Sequence, residues 1–344
     1  MLLYKEIENY LMQIILSADT GGEKPVRLPS EQQLARKFGA SRISVRHALD
    51  DLEKQGYLYK IKGKGSFASP KKTFPENFRF ALILPTPKSN FNHDILRGVH
   101  CFCRSAGADF ITLYSWQSPG EERRCLELCF RLNVFNVLLM PVDDPANESY
   151  FRSLDPSVLH LVFLDRRYRG NGYGLVASDN FEIGYRAMKF LLEKGHKHVA
   201  FYLTTIQSSS VRERIRGYQK AQLEAFGKTD PCFVLNAANG DDGESLSAYL
   251  AGKPEISALI SIAGDPANLA IRAAESLGKV IGADFDLFVI DDETFSDYKT
   301  NQSIPVIIQD GARMGLVAAN ELFRRATSGA PPQDVLIPFR FEFR

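Results

Sequence analysis

Two arginines, Arg42 and Arg46, stand one helical turn apart in the segment SRISVRHALDDL. Four apolar residues of the same segment recur at helical spacing and predict one buried stripe: Val45, Ala48, Leu49 and Leu52. Both arginines lie off that stripe and are predicted to be exposed. Arginine forks on the first turns of an exposed helix suit phosphates, or guanine edges in the major groove of DNA. The pattern therefore points to double-stranded DNA as a partner.

The surrounding sequence predicts a winged helix-turn-helix that would position these arginines. A first amphipathic helix carries Tyr4, Ile7, Leu11, Ile14 and Ile15. Ser30 and Gln33 form a capping box that starts a second helix, and Gly39 ends it. Ser41 can cap the third helix, so only a few residues join helices two and three. Beyond the third helix, alternating residues predict a hairpin that turns at 63–65, which is the wing.

Charge separates the beginning of the chain from the rest. Residues 1–72 hold 13 Lys and Arg against 8 Asp and Glu, whereas the remainder holds 29 against 33. A basic head on a mildly acidic body predicts a polyanion partner for the head alone. Ser30 and Ser41 lie at predicted helix N-termini, where hydroxyl and N–H groups suit phosphate oxygens. At the wing tip, Gly63 would let the backbone approach DNA while Lys62 and Lys64 supply charge.

The segment LPSEQQLARKFGASRISVRHALDDLEKQGYLYKIKGKGSFAS resembles the winged helix of the GntR transcription factors. The pattern of that family runs LPSE, LA, SR, VR, AL, L, G and a terminal GxGT/SF. The resemblance implies DNA contacts at Ser41, Arg42, Ser44, Arg46, Lys62 and Gly63. Gln32 departs from the pattern, because many members have an arginine after LPSE, and a contact there would be weaker or altered.

The body is predicted to be an α/β domain. Residues 69–78, SPKKTFPENF, predict a linker between a DNA-binding domain at 1–68 and an effector-binding and dimerisation domain at 79–344. Beyond the linker, strand-like runs alternate with helical patterns: FALIL, DFITLY, FNVLLM, LHLVFL, HVAFYL, ALISI, DLFVI and PVIIQ. The alternation predicts parallel sheets with helices on both faces, and the length of the body indicates two subdomains.

Polar residues follow several of these strands at the ends where open parallel sheets bind ligands. The ligand candidates are Asn90 and Phe91 after FALIL, Asp165 after LHLVFL, Asp291 after DLFVI, Gln309 after PVIIQ, and Arg214 near the start of a helix. Carboxylates, an arginine and an aromatic ring suit a hydroxyl-rich ligand such as a sugar, whose hydroxyl groups need both donors and acceptors. A small carbohydrate-like effector is therefore predicted.

A second resemblance covers nearly all of 78–344. The stretches DNFEIGYRAMKFLLEKGHKHVAFY, RIRGY, DLFVIDD and PVIIQDGARMGLVAANEL resemble the effector-binding region of the LacI and periplasmic sugar-binding superfamily. The resemblance implies effector contacts at Asp165, Arg214 and Asp291. Gly264 stands where sugar binders often have asparagine, which removes one expected contact. A GntR head on a LacI-type body resembles the arabinose repressor group, without identifying arabinose as the effector.

Several other features of the sequence have simple structural interpretations. Acidic residues come too early for a secretory signal and no apolar run approaches a membrane span, so we expect a cytoplasmic protein without a membrane partner. The five cysteines lack zinc-type spacing and are expected to be buried thiols. The pair His196 and His198 is expected at a turn without metal, and GNGYG at 170–174 is expected to be a turn. No metal and no cofactor are predicted.

Three hypotheses follow. The leading one is a homodimeric transcription factor, a repressor, that binds a pseudo-palindromic operator under control of an effector held between two subdomains. The alternative is a cytoplasmic sugar-sensing protein whose head recruits a protein partner instead of DNA. An enzyme of the aminotransferase-fused GntR type would need a pyridoxal-binding lysine context and a longer chain, so no enzymatic activity is expected.

Overall fold

The computed structural model describes residues 3–17, 25–54, 57–68, 78–170, 172–203, 208–229, 234–236, 244–262, 264–291 and 304–343. The chain divides into two compact units, 1–79 with 100–109 and 80–99 with 110–344. The proposed linker, 69–78, lies outside the described residues except for Phe78. That residue is buried, and its carbonyl accepts a hydrogen bond from the backbone N–H of Asp109 at 3.2 Å.

Three helices begin the chain: α1 (Leu3–Ser17), α2 (Glu31–Phe38) and α3 (Arg42–Lys54). The predicted capping box at the start of α2 is confirmed, because Ser30 Oγ accepts from Gln33 N at 3.3 Å and Gln33 Oε1 accepts from Ser30 N at 2.8 Å. Gly39 ends α2 with a left-handed φ of 59°, which glycine adopts without strain. The predicted stripe of α3 is also confirmed: Val45, Ala48, Leu49 and Leu52 are each at most 1% exposed.

The wing forms where alternation predicted it. Strands β1 (Leu58–Ile61) and β2 (Gly65–Ala68) pair antiparallel, with Ile61 opposite Gly65 at the turn. The segment before α2 unexpectedly adds to this hairpin, because Ala68 N donates to Val26 O and Leu28 N donates to Ser66 O, both at 2.9 Å. The start of α2 is thereby tied to the wing.

The first lobe of the body, here the amino lobe, contains most of its elements in one continuous stretch. They are β3 (Arg79–Leu84), α4 (Asn90–Ala106), β4 (Asp109–Tyr114), α5 (Pro119–Arg131), β5 (Asn136–Leu139), a 3-10 turn (Pro145–Asn147), α6 (Glu148–Ser153), β6 (His160–Leu164) and β7 (Gly174–Ser178). The sheet has the strand order β13-β7-β6-β5-β3-β4, where β13 (Asp334–Ile337) comes from near the end of the chain.

The second lobe, here the carboxy lobe, contains α7 (Asn180–Glu193), β8 (Val199–Leu203), α8 (Ser209–Phe226), β9 (Val234–Asn236), α9 (Glu244–Ala251), β10 (Ala258–Ser261), α10 (Gly264–Ser276), β11 (Asp286–Ile290) and β12 (Pro305–Gln309). The chain then returns to the amino lobe through α11 (Gly311–Ser328), which packs on β5, β6 and β7, and ends in β14 (Phe339–Phe343). The second sheet has the order β14-β12-β11-β10-β8-β9.

The prediction of an α/β body with parallel sheets and two subdomains is confirmed. All eight predicted strands form, and β14 is the antiparallel exception, paired with β12. Four strands were not predicted: β7, β9, β13 and β14. GNGYG was expected to be a turn, yet its last residue, Gly174, already begins β7. The sequence FRFEF of β14 alternates between apolar and charged residues, a period typical of a sheet edge with one exposed face.

Helices α7 and α8, which begin near the strand ends of the carboxy lobe, pack closely against each other. A Cβ atom added at Gly184 of α7 would lie 1.9 Å from Arg214 O, and one at Gly217 of α8 would lie 2.0 Å from Phe181 O. Only glycine permits these two backbones to approach so closely. The contact holds the start of α7 against the first turns of α8.

No helix among the described residues is both long enough and apolar enough to cross a membrane.

Candidate functional site

The outer face of α3 presents the two arginines that the sequence singled out. Arg42 opens the helix and is exposed, and the Arg46 side chain is 65% exposed one turn later. Arg46 has a partner that the sequence did not indicate, since its Nε donates to Glu31 Oε2 of α2 at 3.1 Å. That contact occupies Nε, whereas the fork that recognises guanine or phosphate includes the two terminal nitrogens of the guanidinium.

The serines that were predicted to contact DNA make hydrogen bonds within the protein. Ser41 Oγ accepts from Ser44 N at 3.1 Å and lies 2.9 Å from Ser44 Oγ, so it caps α3 as predicted. Ser30 is bound in its capping box. Gln32 is exposed on the first turn of α2 and remains a candidate contact. Phosphates could therefore be met by helix N-termini and exposed side chains around these caps.

The wing tip has the geometry that a close backbone approach to DNA requires. Lys62, Gly63 and Lys64 are all exposed, and Gly63 has a φ of 79° with no atom within 4 Å of the place a Cβ would occupy. Lys60, a member of the same lysine-rich segment, is different, since its ammonium pairs with Asp50 and with Glu53 at 2.9 Å. The usable positive charge of the hairpin is therefore concentrated at its tip.

In the body, Asp165 follows β6 and is 5% exposed. Its Oδ2 accepts from Arg166 at 3.2 Å and from Ser210 Oγ of α8 at 3.3 Å, while its Oδ1 has no hydrogen-bond partner among the described residues. Arg166 also pairs with Asp143, which follows β5, at 3.0 Å. Burial raises the pKa of Asp143, although Arg166 acts in the opposite direction. Two carboxylates from neighbouring strands thus share one arginine.

A second group assembles around Arg214, which is 5% exposed. Its Nε donates to Asn180 Oδ1 at 2.8 Å, and a terminal nitrogen lies 3.8 Å from Asp291 Oδ2, an ion-pair distance. Asp291 accepts hydrogen bonds from both the backbone and the side chain of Gln309. Gln309 Oε1 is buried without a hydrogen-bond partner among the described residues.

The two aspartates occupy equivalent places in the two lobes. Asp165 follows β6 with φ 61°, and Asp291 follows β11 with φ 66°. Each backbone N–H donates to the next strand, to Val176 O at 2.9 Å and to Ile307 O at 2.8 Å. Left-handed backbone is uncommon outside glycine and concentrates at functional sites. Each lobe therefore has one aspartate at a strand end with the same left-handed backbone conformation.

The structure places four of the six predicted ligand residues in two buried polar groups, Asp165 with Ser210, and Arg214 with Asp291 and Gln309. Ser210 connects Asp165 to α8, and Arg214 lies one turn further along that helix. Phe91 lies close to the start of α11, because a Cβ atom added at Gly311 would be 3.1 Å from its ring. Asn90 is exposed at the first position of α4.

A buried glutamate positions the loops on the amino-lobe side. Glu122 of α5 accepts from Val142 N at 2.8 Å, from the Asn147 side chain at 2.7 Å and from Tyr168 OH at 2.6 Å. Burial raises the pKa of Glu122, and the three donors act against that rise. These bonds fix the segment that carries Asp143.

A cavity of about 410 Å³ opens between the lobes beside Asp165. Its polar lining comes from both lobes and includes Asp165, Ser178, Asn180, Ser210, Arg167 and Arg212. Ser178 Oγ, like Asp165 Oδ1, is buried without a hydrogen-bond partner among the described residues. Such a mixture of donors and acceptors suits a ligand with several hydroxyl groups.

Sequence analysis missed Asp143, Arg166, Asn180 and Ser210. Asp143 and Arg166 follow strands and satisfied the rule that selected Asp165, so they could have been included. Asn180 follows β7, a strand that was not predicted, and its role depends on a contact with Arg214 that only the fold shows.

His196 and the described cysteines take up structural positions away from the candidate site. His196 lies with Nδ1 2.8 Å from Ser257 Oγ and Nε2 2.8 Å from Asp286 Oδ2, so both ring nitrogens are engaged. Cys103, Cys125 and Cys129 are buried as expected, and burial raises the pKa of Cys129 to about 12. The expectation was wrong for Cys101, which is exposed on α4; Cys232 lies outside the described residues.

Comparisons with known proteins find matches to both parts of the chain. Residues 3–67 match the bacterial regulatory proteins of the gntR family, and residues 188–344 match the periplasmic binding protein-like domain. An arabinose metabolism transcriptional repressor of Geobacillus stearothermophilus is 26% identical over 334 residues, covering 93% of this chain and 90% of that protein. The HTH-type transcriptional repressor PurR of Haemophilus influenzae is 25% identical, covering 72% of this chain and 73% of its own.

Among solved structures, the transcription regulator CcpA of Lactococcus lactis superimposes with a TM-score of 0.68 at 21% identity, covering 78% of this chain and 98% of CcpA. The likeness supports the two-lobed fold. Both resemblances predicted from the sequence are confirmed, and the homologues are transcriptional regulators.

Proposed function

On the premise that this chain joins a GntR-type helix-turn-helix domain to a periplasmic binding protein-like domain, we propose that it represses transcription from a specific operator under effector control. The single observation that carries the proposal is the outer face of α3. Its helix is anchored by four buried apolar residues, while Arg42 and Arg46 extend from the first turns into solvent. This is the arrangement with which a recognition helix enters the major groove.

The effector is a small carbohydrate-like molecule held between the lobes. Support comes from the buried network around Asp165 and Arg214, which offers carboxylate acceptors and an arginine donor from both lobes. Buried oxygens that lack a hydrogen-bond partner in the described part of the chain, such as Gln309 Oε1, would gain hydrogen bonds from ligand hydroxyl groups. Closure of the lobes on the ligand would change the geometry of the operator-bound form, through a coupling of about 1 to 3 kcal/mol.

The proposal has three further parts. The protein acts as a homodimer, because one head reads one half-site and a pseudo-palindromic operator needs two, about one helical turn apart. It is not an enzyme, in keeping with homologues that are transcriptional regulators. It works in the cytoplasm, where its operator would lie.

DNA binding is tested by selecting duplexes from a random library with the full-length protein and measuring affinity for the enriched sequence. We expect Arg42→Ala and Arg46→Ala each to weaken specific binding by about 1 to 3 kcal/mol. Arg216→Ala removes an equal charge from an exposed position of α8 and should leave affinity unchanged. If the arginine variants bind like the wild type, α3 does not read DNA and recruitment of a protein becomes the better account of the head.

Effector binding is tested by thermal shift against monosaccharides and disaccharides. A ligand that binds the folded state raises the melting temperature by mass action, with about 2.7 kcal/mol gained at one hundred times its dissociation constant. A sugar that stabilises the wild type should also change operator affinity. If no sugar stabilises the protein while operator binding is intact, the carbohydrate assignment is wrong and the repressor assignment stands.

A further inference from the structure

The first turn of α3 carries a large apolar side chain that is exposed to solvent. Ile43 stands between Arg42 and Ser44 and is 81% exposed. No other large apolar side chain among the described residues is as exposed. Because its side chain is in contact with water, its burial in a complex would be favourable.

Helix geometry puts Ile43 at the centre of the outer face. Successive helical residues are rotated by about 100°, which places Ile43 about 170° from the middle of the buried stripe. Arg46 and His47, one turn later, flank it on either side and are both exposed. A helix that lies in the major groove with its first turns inward would direct Ile43 to the floor of the groove, between the flanking polar groups.

The floor of the groove offers one apolar group. Each base pair presents hydrogen-bond donors and acceptors there, and thymine adds its C5 methyl. An isoleucine pressed against donors and acceptors would strip water from them without replacing the hydrogen bonds. Against a thymine methyl it loses only water contact on two apolar surfaces.

We propose, in an inference that rests on the proposed function, that Ile43 specifies a thymine in each operator half-site by contact with its C5 methyl group. The neighbouring arginines supply charge and hydrogen bonds, whereas Ile43 supplies discrimination that does not depend on salt. It is a specificity-determining residue, and at 81% exposure it contributes little to the packing of the head.

The test uses full-length protein and the operator enriched from the random library. Each thymine of one half-site is replaced in turn by deoxyuridine, which lacks only the methyl group. We expect one replacement to weaken wild-type binding about fourfold, the loss of one buried methyl contact. Ile43→Ala should weaken binding to the thymine operator by at least as much and should be insensitive to that replacement. Ile43→Val, which keeps the branched Cβ, should retain most of the sensitivity.

Ile43→Ala should leave the salt dependence of binding unchanged, whereas Arg46→Ala should reduce it, because only the second removes a charge. The inference is overturned if every thymine tolerates deoxyuridine, or if the sensitive thymine stays sensitive in Ile43→Ala. Both results leave the repressor assignment intact. If the wild type enriches no duplex at all, the proposed function itself fails, and the two failures are thus distinguishable.

Discussion

The head and the cleft of the body present polar groups to their partners in opposite ways. The Arg46 side chain is 65% exposed, whereas Asp165 and Arg214 are each 5% exposed. Exposed charges remain solvated and act nearly independently, so each can be removed with little effect on the fold. Buried polar groups must satisfy one another, so removal of one disturbs the rest. Substitutions in the head should therefore change binding without changing stability. Substitutions in the cleft should change both.

The largest expected effect comes from the packing that supports the cleft. Gly217→Ala would put a methyl group 2.0 Å from Phe181 O and 2.6 Å from Tyr185 N, so α7 and α8 must separate. Overpacking against backbone should lower the free energy of unfolding by about 3 kcal/mol and displace Arg214 from Asn180. Urea denaturation measures the loss.

Gly252→Ala is the matched control, since its Cβ would find its nearest neighbour at 3.5 Å, an ordinary contact. Its effect should stay below about 0.5 kcal/mol. Equal stability of the two variants would show that the helices can adjust, and would weaken the claim that this contact sets the cleft.

Next in size is removal of the buried arginine itself. Arg214→Ala leaves Asn180 Oδ1 without its donor and removes the positive charge beside Asp291. We expect a loss of about 2 kcal/mol in unfolding free energy, together with loss of the thermal shift caused by any stabilising sugar. Arg216→Ala, on the same helix with a side chain that is 66% exposed, should change neither. A variant that kept its full response to the sugar would place the effector elsewhere.

A smaller effect, on binding alone, is expected at the wing. Lys62→Ala and Lys64→Ala should each reduce the slope of log affinity against log salt by about one and weaken DNA binding by about 1 kcal/mol. Lys60→Ala is the control within the same hairpin, because Asp50 and Glu53 already engage that ammonium. If Lys60→Ala lowers the slope as much as Lys64→Ala, the charge of the hairpin is not concentrated at its tip.

The contrast between head and cleft also explains what the sequence could predict. The head is organised by neighbours in the chain: Ser30 with Gln33, Ser41 with Ser44, and a stripe at helical spacing. Such patterns join residues that are close in sequence, so the caps, the helices and the wing could all be predicted from them. What remained hidden is the pairing of Arg46 with Glu31, fifteen residues earlier.

In the body, local patterns predicted the strands but only part of the site. Residues at strand ends could be selected because parallel strands end at a common edge. Asn180 was missed because β7 was missed, and its contact with Arg214 joins residues 34 apart in sequence. Asn90 met the same rule as Asp165, yet Asn90 is exposed and Asp165 is buried, since a strand-end position gives no information on burial.

The smallest expected effect lies at a site between the two extremes of exposure. Asp286 has a side chain that is 14% exposed and accepts from Lys194 at 2.6 Å and from His196 at 2.8 Å. Burial alone would raise the pKa of Asp286, but the hydrogen bonds and charges of Lys194 and His196 lower it below its ordinary value of 3.8. The unfolded chain therefore binds this proton more readily than the folded protein does.

It follows that Asp286 stabilises the fold above pH 3.8 and loses that contribution as the pH falls through the lowered pKa. Asp286→Asn should cost about 0.5 to 1 kcal/mol near neutral pH, and its difference from the wild type should shrink between about pH 4 and pH 2. Urea denaturation at each pH measures this difference, with Asp284→Asn as an exposed control expected to show little change. A difference in unfolding free energy that grew on acidification would contradict a lowered pKa for Asp286. A difference of several kcal/mol would show that Asp286 contributes as much to stability as the buried residues of the cleft.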